Sequence, residues 1–325
     1  MNVCIVGCGL IGHKRAQALG AHRLVVASDV NEDRARAHAA RSPGAVVSTD
    51  WREAVARPDV DAVFVATPHN LLAPVSLAAA EAGKHVLVEK PVGRKAAELA
   101  RVVEAAQRRK VVVKAGFNHR FHPAFQKARE YVDAGAVGDL MFIRARYGHG
   151  GRVGYDKEWR AFPEISGGGE LLDQGVHLID LSRWFLGDFA RVEGFAHTYF
   201  WDMPVDDNAF MMLRTARDQV AFLHVSWTEW KNTFSFEIYG KTGKLHVEGL
   251  GGSYGTERLA YYKMSPEMGP PETTIHEYPG ADRSWDLDFA DFVRAVETGK
   301  SPCGNLEDAV KALEVVDALY GAKER

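Results

Sequence analysis

Asp173, His177 and Asp180 stand four and three residues apart in Gly167-Gly168-Gly169-Glu170-Leu171-Leu172-Asp173-Gln174-Gly175-Val176-His177-Leu178-Ile179-Asp180. On a helix that spacing places all three on one face. A carboxylate one turn from an imidazole can orient the ring and favour its protonated form, which suits proton transfer near neutral pH. Gly175, inside the same turn, costs about 1 kcal/mol of helix stability relative to alanine, and that points to something approaching the helix closely. The three glycines ahead of it permit a close approach of backbone to ligand. The same residues also fit a purely structural helix with an N-terminal carboxylate and a packed histidine. His and Asp at this spacing can ligate zinc or iron, but no further histidine or cysteine stands at a ligand-like spacing, so no metal is expected.

A second chemical group is Lys90 in Glu89-Lys90-Pro91, directly after the apolar run His85-Val86-Leu87-Val88. Its ammonium can donate to a substrate oxygen, or transfer a proton where partial burial lowers its pKa. Pro91 restricts Lys90 to extended conformations and so helps to aim it. A surface lysine before a loop proline is the plain alternative.

The elements that must position these groups begin at the N-terminus. Val3-Cys4-Ile5-Val6 reads as a strand and runs into Gly7-Cys8-Gly9-Leu10-Ile11-Gly12. In this Gly-x-Gly-x-x-Gly order, Gly7 permits the tight turn, Gly9 lets backbone approach a pyrophosphate, and Gly12 lets the helix from Leu10 pack on the strand. The N–H groups of Leu10 and Ile11 then open a helix whose positive end faces the phosphates. Asp29 follows about 20 residues later, after Val25-Val26-Ala27-Ser28, where a carboxylate can bind ribose hydroxyls and repel a 2′-phosphate. NAD is therefore expected in preference to NADP. Asp29 could equally cap a helix, a task that Asn31 can also take.

Further apolar runs end at Thr67-Pro68, at Glu89-Lys90-Pro91, and at Gly116-Phe117-Asn118, with alanine-rich helical stretches Leu71 to Ala82 and Lys95 to Gln107 between them. Strands alternating with helices indicate a parallel sheet covered on both faces, and ligands bind beyond the carboxyl ends of such strands. After about His119 the pattern changes. A helix from Pro123 to Ala134 leads to a strand at Leu140 to Arg146, then a loop from Tyr147 to Gly169. A helix is expected from Glu170 to Phe185, then consecutive strands from Ala190 to Tyr278, which imply an antiparallel sheet. Helices at Trp285 to Thr298 and Glu307 to Tyr320 close the chain. The pattern is α/β followed by α+β, with a boundary near residue 120.

At 325 residues the length suits two domains. A net charge of −3 gives no reason to expect nucleic acid or an anionic membrane as partner. Arg108-Arg109-Lys110 reads as a solvated helix end. The three cysteines, Cys4, Cys8 and Cys303, form no disulfide framework or Cys-x-x-Cys pair. The chain opens on a strand rather than a signal peptide, and no apolar run approaches the roughly 20 residues that span a bilayer. A cytoplasmic protein is expected.

Taken in order, the glycine loop, Glu89-Lys90-Pro91 and Asp173-x-Gly175-x-His177-x-x-Asp180 resemble the glucose–fructose oxidoreductase / inositol dehydrogenase / rhizopine catabolism (Gfo/Idh/MocA) family over essentially the full length. Ala82-Gly83-Lys84-His85-Val86, Asn118-His119-Arg120-Phe121 and Trp159-Arg160 ahead of the triple glycine strengthen the resemblance. It implies an NAD-binding Rossmann domain at 1-120 and an α+β substrate-binding and oligomerisation domain at 121-325. The latter carries a large open, mostly antiparallel sheet, and the C-terminal helices can pack back on the first domain. The resemblance implies NAD held by Gly7, Gly9, Leu10, Ile11, Gly12, Asp29, Thr67, Pro68, Asn70, Glu89, Lys90 and Asn118, and a homodimer or homotetramer.

By the same resemblance Lys90, Asp173 and His177 form the catalytic group, with His177 as proton acceptor, and they bind substrate together with Arg120, Tyr155, Trp159 and Arg160. The glycine-rich loop around Tyr155 and Trp159 offers aromatic faces for sugars or bases and arginines for phosphate or carboxylate. Two departures stand out. The histidine usual four residues after the Thr-Pro proline is Leu72 here, with His69 directly after Pro68 and Asn70 as a substitute polar group. The usual Asn-Arg-Arg is Asn118-His119-Arg120. The expected reaction is hydride exchange between nicotinamide and a hydroxyl or keto carbon of a sugar or sugar nucleotide. An NAD-retaining glycoside hydrolase, a cyclitol dehydrogenase and a non-catalytic dinucleotide sensor are the alternatives; a sensor is expected to lack the lysine and histidine that this chain keeps.

Overall fold

A computed structural model describes residues 1–267 and 269–321. Met1–Asn118, Glu164–Gly167 and Trp285–Leu313 form one compact unit; His119–Pro163, Gly168–Ser284 and the chain from Glu314 form the other.

The first unit opens β1 (Asn2–Val6), α1 (Leu10–Gln17), β2 (Arg23–Ser28), α2 (Glu32–Ala39), β3 (Val46–Ser48), α3 (Trp51–Ala56), β4 (Ala62–Val65), α4 (His69–Glu81), β5 (His85–Glu89), α5 (Ala96–Arg109) and β6 (Val113–Gly116). The strands lie in the order β3-β2-β1-β4-β5-β6, every neighbouring pair parallel. A sheet covered on both faces needs apolar residues at successive positions, and Val3, Cys4, Ile5, Val63 and Phe64 are all fully buried. The order turns at β1, with β2 on one side and β4 on the other, the switch point beside which such sheets bind ligands. Gly7, Asp29, Thr67, Lys90 and Asn118 all follow carboxyl ends of parallel strands and so share one edge. One detail differs from expectation: β3 is an unforeseen three-residue edge strand.

This core is completed from far down the chain. Phe289 and Phe292, on α9 (Ser284–Thr298), join Val3, Ile5, Leu24 and Leu87. Their rings meet Phe64 edge-on, with centroids 5.3 and 6.0 Å away.

The second unit holds α6 (Pro123–Asp133), β7 (Leu140–Gly148), α8 (Val176–Leu186), β8 (Phe189–His197), β9 (Asn208–Thr215), β10 (Val220–Ser226), β11 (Thr233–Gly240), β12 (Gly243–Glu248), β13 (Glu257–Lys263) and β14 (Glu272–Tyr278), while the short α7 (Pro163–Ser166) falls in the first unit from Glu164 onward. After α9 comes α10 (Leu306–Gly321). The eight strands run β14-β13-β12-β11-β7-β10-β9-β8. All neighbours are antiparallel except β7 and β10, which pair in parallel with Phe142 opposite Val220. A parallel pair needs a long crossover, and residues 149–219 supply it. One face is apolar and buried through Ile143, Ala145, Leu223 and Val225, where Phe125 of α6 meets Phe236 at 5.2 Å. The other face exposes Phe195, Met212 and Phe222. Among the described residues, no helix is long and apolar enough to cross a membrane.

Candidate active site

In the first unit, Gly7 takes φ +95°, and a Cβ there would stand 2.4 Å from the Ala66 carbonyl oxygen. A Cβ on Gly12 would stand 2.0 Å from the Gly7 carbonyl oxygen, so only glycine lets α1 press onto the loop. Gly9 differs: it caps α1 without a side chain, and nothing lies within 4 Å of where its Cβ would be. The first-turn N–H groups of a helix have no helical acceptor, so those of Leu10 and Ile11 could hold an anion such as a pyrophosphate. The Asp29 carboxylate accepts from the Cys8 N–H and the Asn31 N–H, each at 2.8 Å. Asn31, by accepting from the Arg34 N–H at 3.1 Å, takes the capping task on α2. Asp29 is thus drawn against the glycine loop, where a ribose diol would sit.

Lys90 follows β5 and is half-buried, joined to Pro91 by a cis peptide bond. Glu89 is buried; its carboxylate accepts from Arg15 Nε at 2.7 Å, and burial pushes its pKa up while Arg15 opposes that rise. Thr67, Pro68 and Asn70 are half-buried at the end of β4, and Asn118 is buried after β6. His69 lies 2.8 Å through Nδ1 from the Ser166 carbonyl oxygen, whereas Leu72 is fully buried. The position where the family usually has a histidine is therefore core here.

In the second unit the expected continuous helix is interrupted. Leu171–Gly175 forms a π-helical turn before α8 begins at Val176. Its i→i+5 bonds widen the turn that carries Asp173. Asp173, buried, accepts from Arg160 Nε at 2.7 Å. Arg160 is held cationic by Asp173 against the cost of its burial, and it lies 4.5 Å from the centre of the half-buried Trp159 ring. His177, also buried, stacks on His119 with ring centres 3.7 Å apart and planes 14° from parallel. The imidazole partner is therefore a second imidazole, beyond the carboxylate expected from spacing. His119 Nε2 lies 3.3 Å from Tyr147 Oη.

Three other residues have partners that sequence spacing did not give. Asp180 accepts from Arg120 Nε at 2.8 Å and Nη2 at 2.6 Å, both side chains buried. Tyr155 is only 3% exposed and packs against Trp227, centroids 4.9 Å apart, with Met203 and Val205 alongside. Its hydroxyl pKa is raised by burial and by Asp173. Asp206 was missed altogether. Its carboxylate accepts from the N–H groups of Gly169 at 3.1 Å and Leu171 at 2.8 Å and from Tyr320 Oη at 2.7 Å, pinning the start of the π turn. The signal available was the Asp206-Asp207 pair just ahead of a strand.

Residues 1–117 match the family model for the oxidoreductase family with NAD-binding Rossmann fold, and residues 125–246 match the GFO/IDH/MocA C-terminal domain. The levoglucosan dehydrogenase of Pseudarthrobacter phenanthrenivorans is 30% identical over 284 residues, covering 75% of this chain and 73% of that protein. The chain belongs to the GFO/IDH/MocA oxidoreductase family. It is an NAD-binding enzyme of that class. The dTDP-3,4-didehydro-2,6-dideoxy-alpha-D-glucose 3-reductase of Streptomyces violaceoruber is 32% identical over 253 residues, 76% of this chain and 72% of that protein. A solved levoglucosan dehydrogenase in complex with NADH and levoglucosan has a TM-score of 0.89 at 25% identity, covering 100% of this chain and 98% of that one.

The glycine geometry gives a direct test of cofactor binding. Gly12→Ala forces a Cβ against the Gly7 carbonyl, and overpacking of that kind costs about 1–3 kcal/mol. NADH binding, followed by fluorescence titration, is expected to weaken roughly ten- to hundredfold. Unchanged affinity would show that the loop does not hold the pyrophosphate.

Proposed function

We propose that the enzyme exchanges a hydride between NAD and a carbon bearing a hydroxyl on a sugar or sugar nucleotide. The observation that carries this is the pairing of buried Asp173 with Arg160, four residues ahead of the buried imidazole of His177. A carboxylate whose charge is balanced by a guanidinium suits the recognition of neutral hydroxyls. His177 takes the hydroxyl proton on its imidazole, and Asp173 accepts from and orients the substrate. Lys90 donates to the reacting oxygen and stabilises the negative charge that grows there. NAD, when bound, supplies the hydride acceptor at nicotinamide C4.

Gly7, Gly9, Leu10, Ile11, Gly12 and Asp29 hold the adenosine and pyrophosphate part, with Thr67, Pro68, Asn70 and Asn118 along the same strand ends. Trp159 gives an aromatic face for a sugar ring, with Arg160 beside it. Arg120 and Tyr155 act through Asp180 and Trp227 rather than by touching substrate, a reading supported by their burial. Glu89 acts through Arg15. The relatives named above are dehydrogenases and a reductase, which supports oxidoreduction over glycoside hydrolysis. The exposed Phe195, Met212 and Phe222 support a homodimer or homotetramer. Three free cysteines, two of them buried, support a cytoplasmic setting.

The test is a panel of free sugars, cyclitols and nucleotide sugars offered with NAD and with NADP, scored by NADH or NADPH absorbance. At least one sugar or nucleotide sugar is expected to reduce NAD, with NADP the poorer acceptor. A preference for NADP would overturn the role given to Asp29. Glycoside cleavage without accumulation of NADH would replace oxidoreduction by hydrolysis.

A further inference from the structure

Asp206 stands two residues ahead of β9 and is 3% exposed. Three successive backbone N–H groups of a distant segment end on it. The Gly169 N–H donates to its Oδ1 at 3.1 Å, the Glu170 N–H to its carbonyl oxygen at 2.9 Å, and the Leu171 N–H to its Oδ2 at 2.8 Å. The first N–H groups of a helix have no acceptor within it, and a side chain at the cap position ordinarily serves. No side chain caps the turn at Glu170; Asp206, 35 positions from Leu171, does so instead. Tyr320, near the end of α10, completes the clamp. Its Oη donates to Asp206 Oδ1 at 2.7 Å and accepts from the Gly169 N–H at 3.2 Å. A Cβ on Gly168 would stand 2.3 Å from Tyr320 Oη, and one on Gly169 1.8 Å from the Asp206 carbonyl oxygen, so these two glycines make room for the clamp itself. The Gly169 carbonyl oxygen then accepts from the Asp173 N–H at 2.9 Å. All of these residues belong to the second unit.

We propose that Asp206, together with Tyr320, is a positioning residue for Asp173, fixing the turn so that the Asp173 carboxylate stands in one place before substrate arrives. The proposal rests on the reading that Asp173 accepts from and orients the substrate. Gly169 joins the two ends: its N–H is held by Asp206 and Tyr320, and its carbonyl oxygen holds the Asp173 backbone. Asp173 also meets Arg160 Nε at 2.7 Å, so a turn that slips or frays shifts the carboxylate against its guanidinium partner. A misplacement of about 1 Å can cost on the order of a hundredfold in rate, so a clamp outside the turn acts on chemistry that it never touches. An amide cannot replace the carboxylate, because only its oxygen accepts and its NH2 group is set against another donor.

The experiment uses the full chain with Asp206→Asn, Tyr320→Phe, Asp173→Asn and the double variant Asp173→Asn/Asp206→Asn. Amide hydrogen exchange of the segment from Gly168 to Val176 is followed by mass spectrometry. Alongside it are measured kcat with the panel sugar that reduces NAD fastest, the NADH dissociation constant and thermal unfolding. In Asp206→Asn, exchange of that segment is expected to quicken about tenfold, and kcat to fall on the order of tenfold, with NADH affinity within about twofold. Tyr320→Phe, which removes only the hydroxyl, is expected to show the same changes at about threefold. In the Asp173→Asn background, the second substitution is expected to leave the residual kcat within about twofold, because a residue acting through Asp173 has nothing left to position. An equal drop in both backgrounds would mark a general structural role and overturn the proposal, as would wild-type exchange and kcat in folded Asp206→Asn. If Asp206→Asn does not fold, Tyr320→Phe decides by the same two measurements. Full turnover in Asp173→Asn would overturn the reading of Asp173 and the proposal with it. A loss of turnover there beside unchanged exchange in Asp206→Asn would overturn the proposal alone.

Discussion

Lys90→Met is expected to lower kcat by about 10²- to 10⁴-fold, the range that a positioned donor or acid contributes, while NADH affinity stays within about twofold. The variant removes an ammonium that stands half-buried directly after β5, on the strand edge shared with Gly7 and Asp29. Methionine keeps the length of the chain and its packing, so Glu89 stays on Arg15. A loss confined to kcat and kcat/KM marks an interaction made in the transition state. Single-turnover hydride transfer with preloaded NAD is the measurement, since it separates chemistry from product release. Transfer at the wild-type rate would remove Lys90 from the reaction.

His177→Asn is expected to lower kcat by a similar 10²- to 10⁴-fold and, in addition, to change the shape of the pH profile. A base must be neutral to accept a proton, so the oxidation rate of the wild type is expected to fall as pH drops and the imidazole becomes charged. With asparagine that acid limb is expected to vanish from the residual activity. His119 stays in place as the ring against which position 177 packs, so the fold around it is retained. A variant that keeps the same acid limb would transfer the role of base to another group. A merely structural histidine would lower stability without touching the limb.

The glycine loop and the strand ends were legible in the sequence because their determinants are local. Gly7, Gly9 and Gly12 act within one turn, and apolar runs such as Ala62–Val65 report a doubly covered sheet directly. What escaped is held by contacts between residues far apart in the chain. The Arg15–Asp288 pair spans 273 positions, and no periodicity announces it. The burial of Tyr155 and Arg120 also escaped, because a tyrosine in a glycine-rich loop and an arginine beside a motif carry no mark of it. The π turn was hidden for a different reason: Leu171–Gly175 has an ordinary helical pattern, and its widening depends on Asp206 and Tyr320 gripping its start. The parallel β7–β10 pair likewise depends on how the chain returns after a crossover, not on either strand's composition.

The placement of α9 also bears on synthesis. Residues 1–118 leave the ribosome first, yet Phe289, Phe292 and Asp288 complete their core and neutralise Arg15 and Lys114. At typical elongation rates, the chain between Asn118 and Trp285 takes on the order of ten seconds to emerge. Through that interval the nascent domain carries an uncovered apolar face on Phe64 and two cations, Arg15 and Lys114, whose shared carboxylate on Asp288 has not yet been made. The domain that begins the chain is therefore finished late, and a fragment ending near residue 118 is a poor stand-in for it.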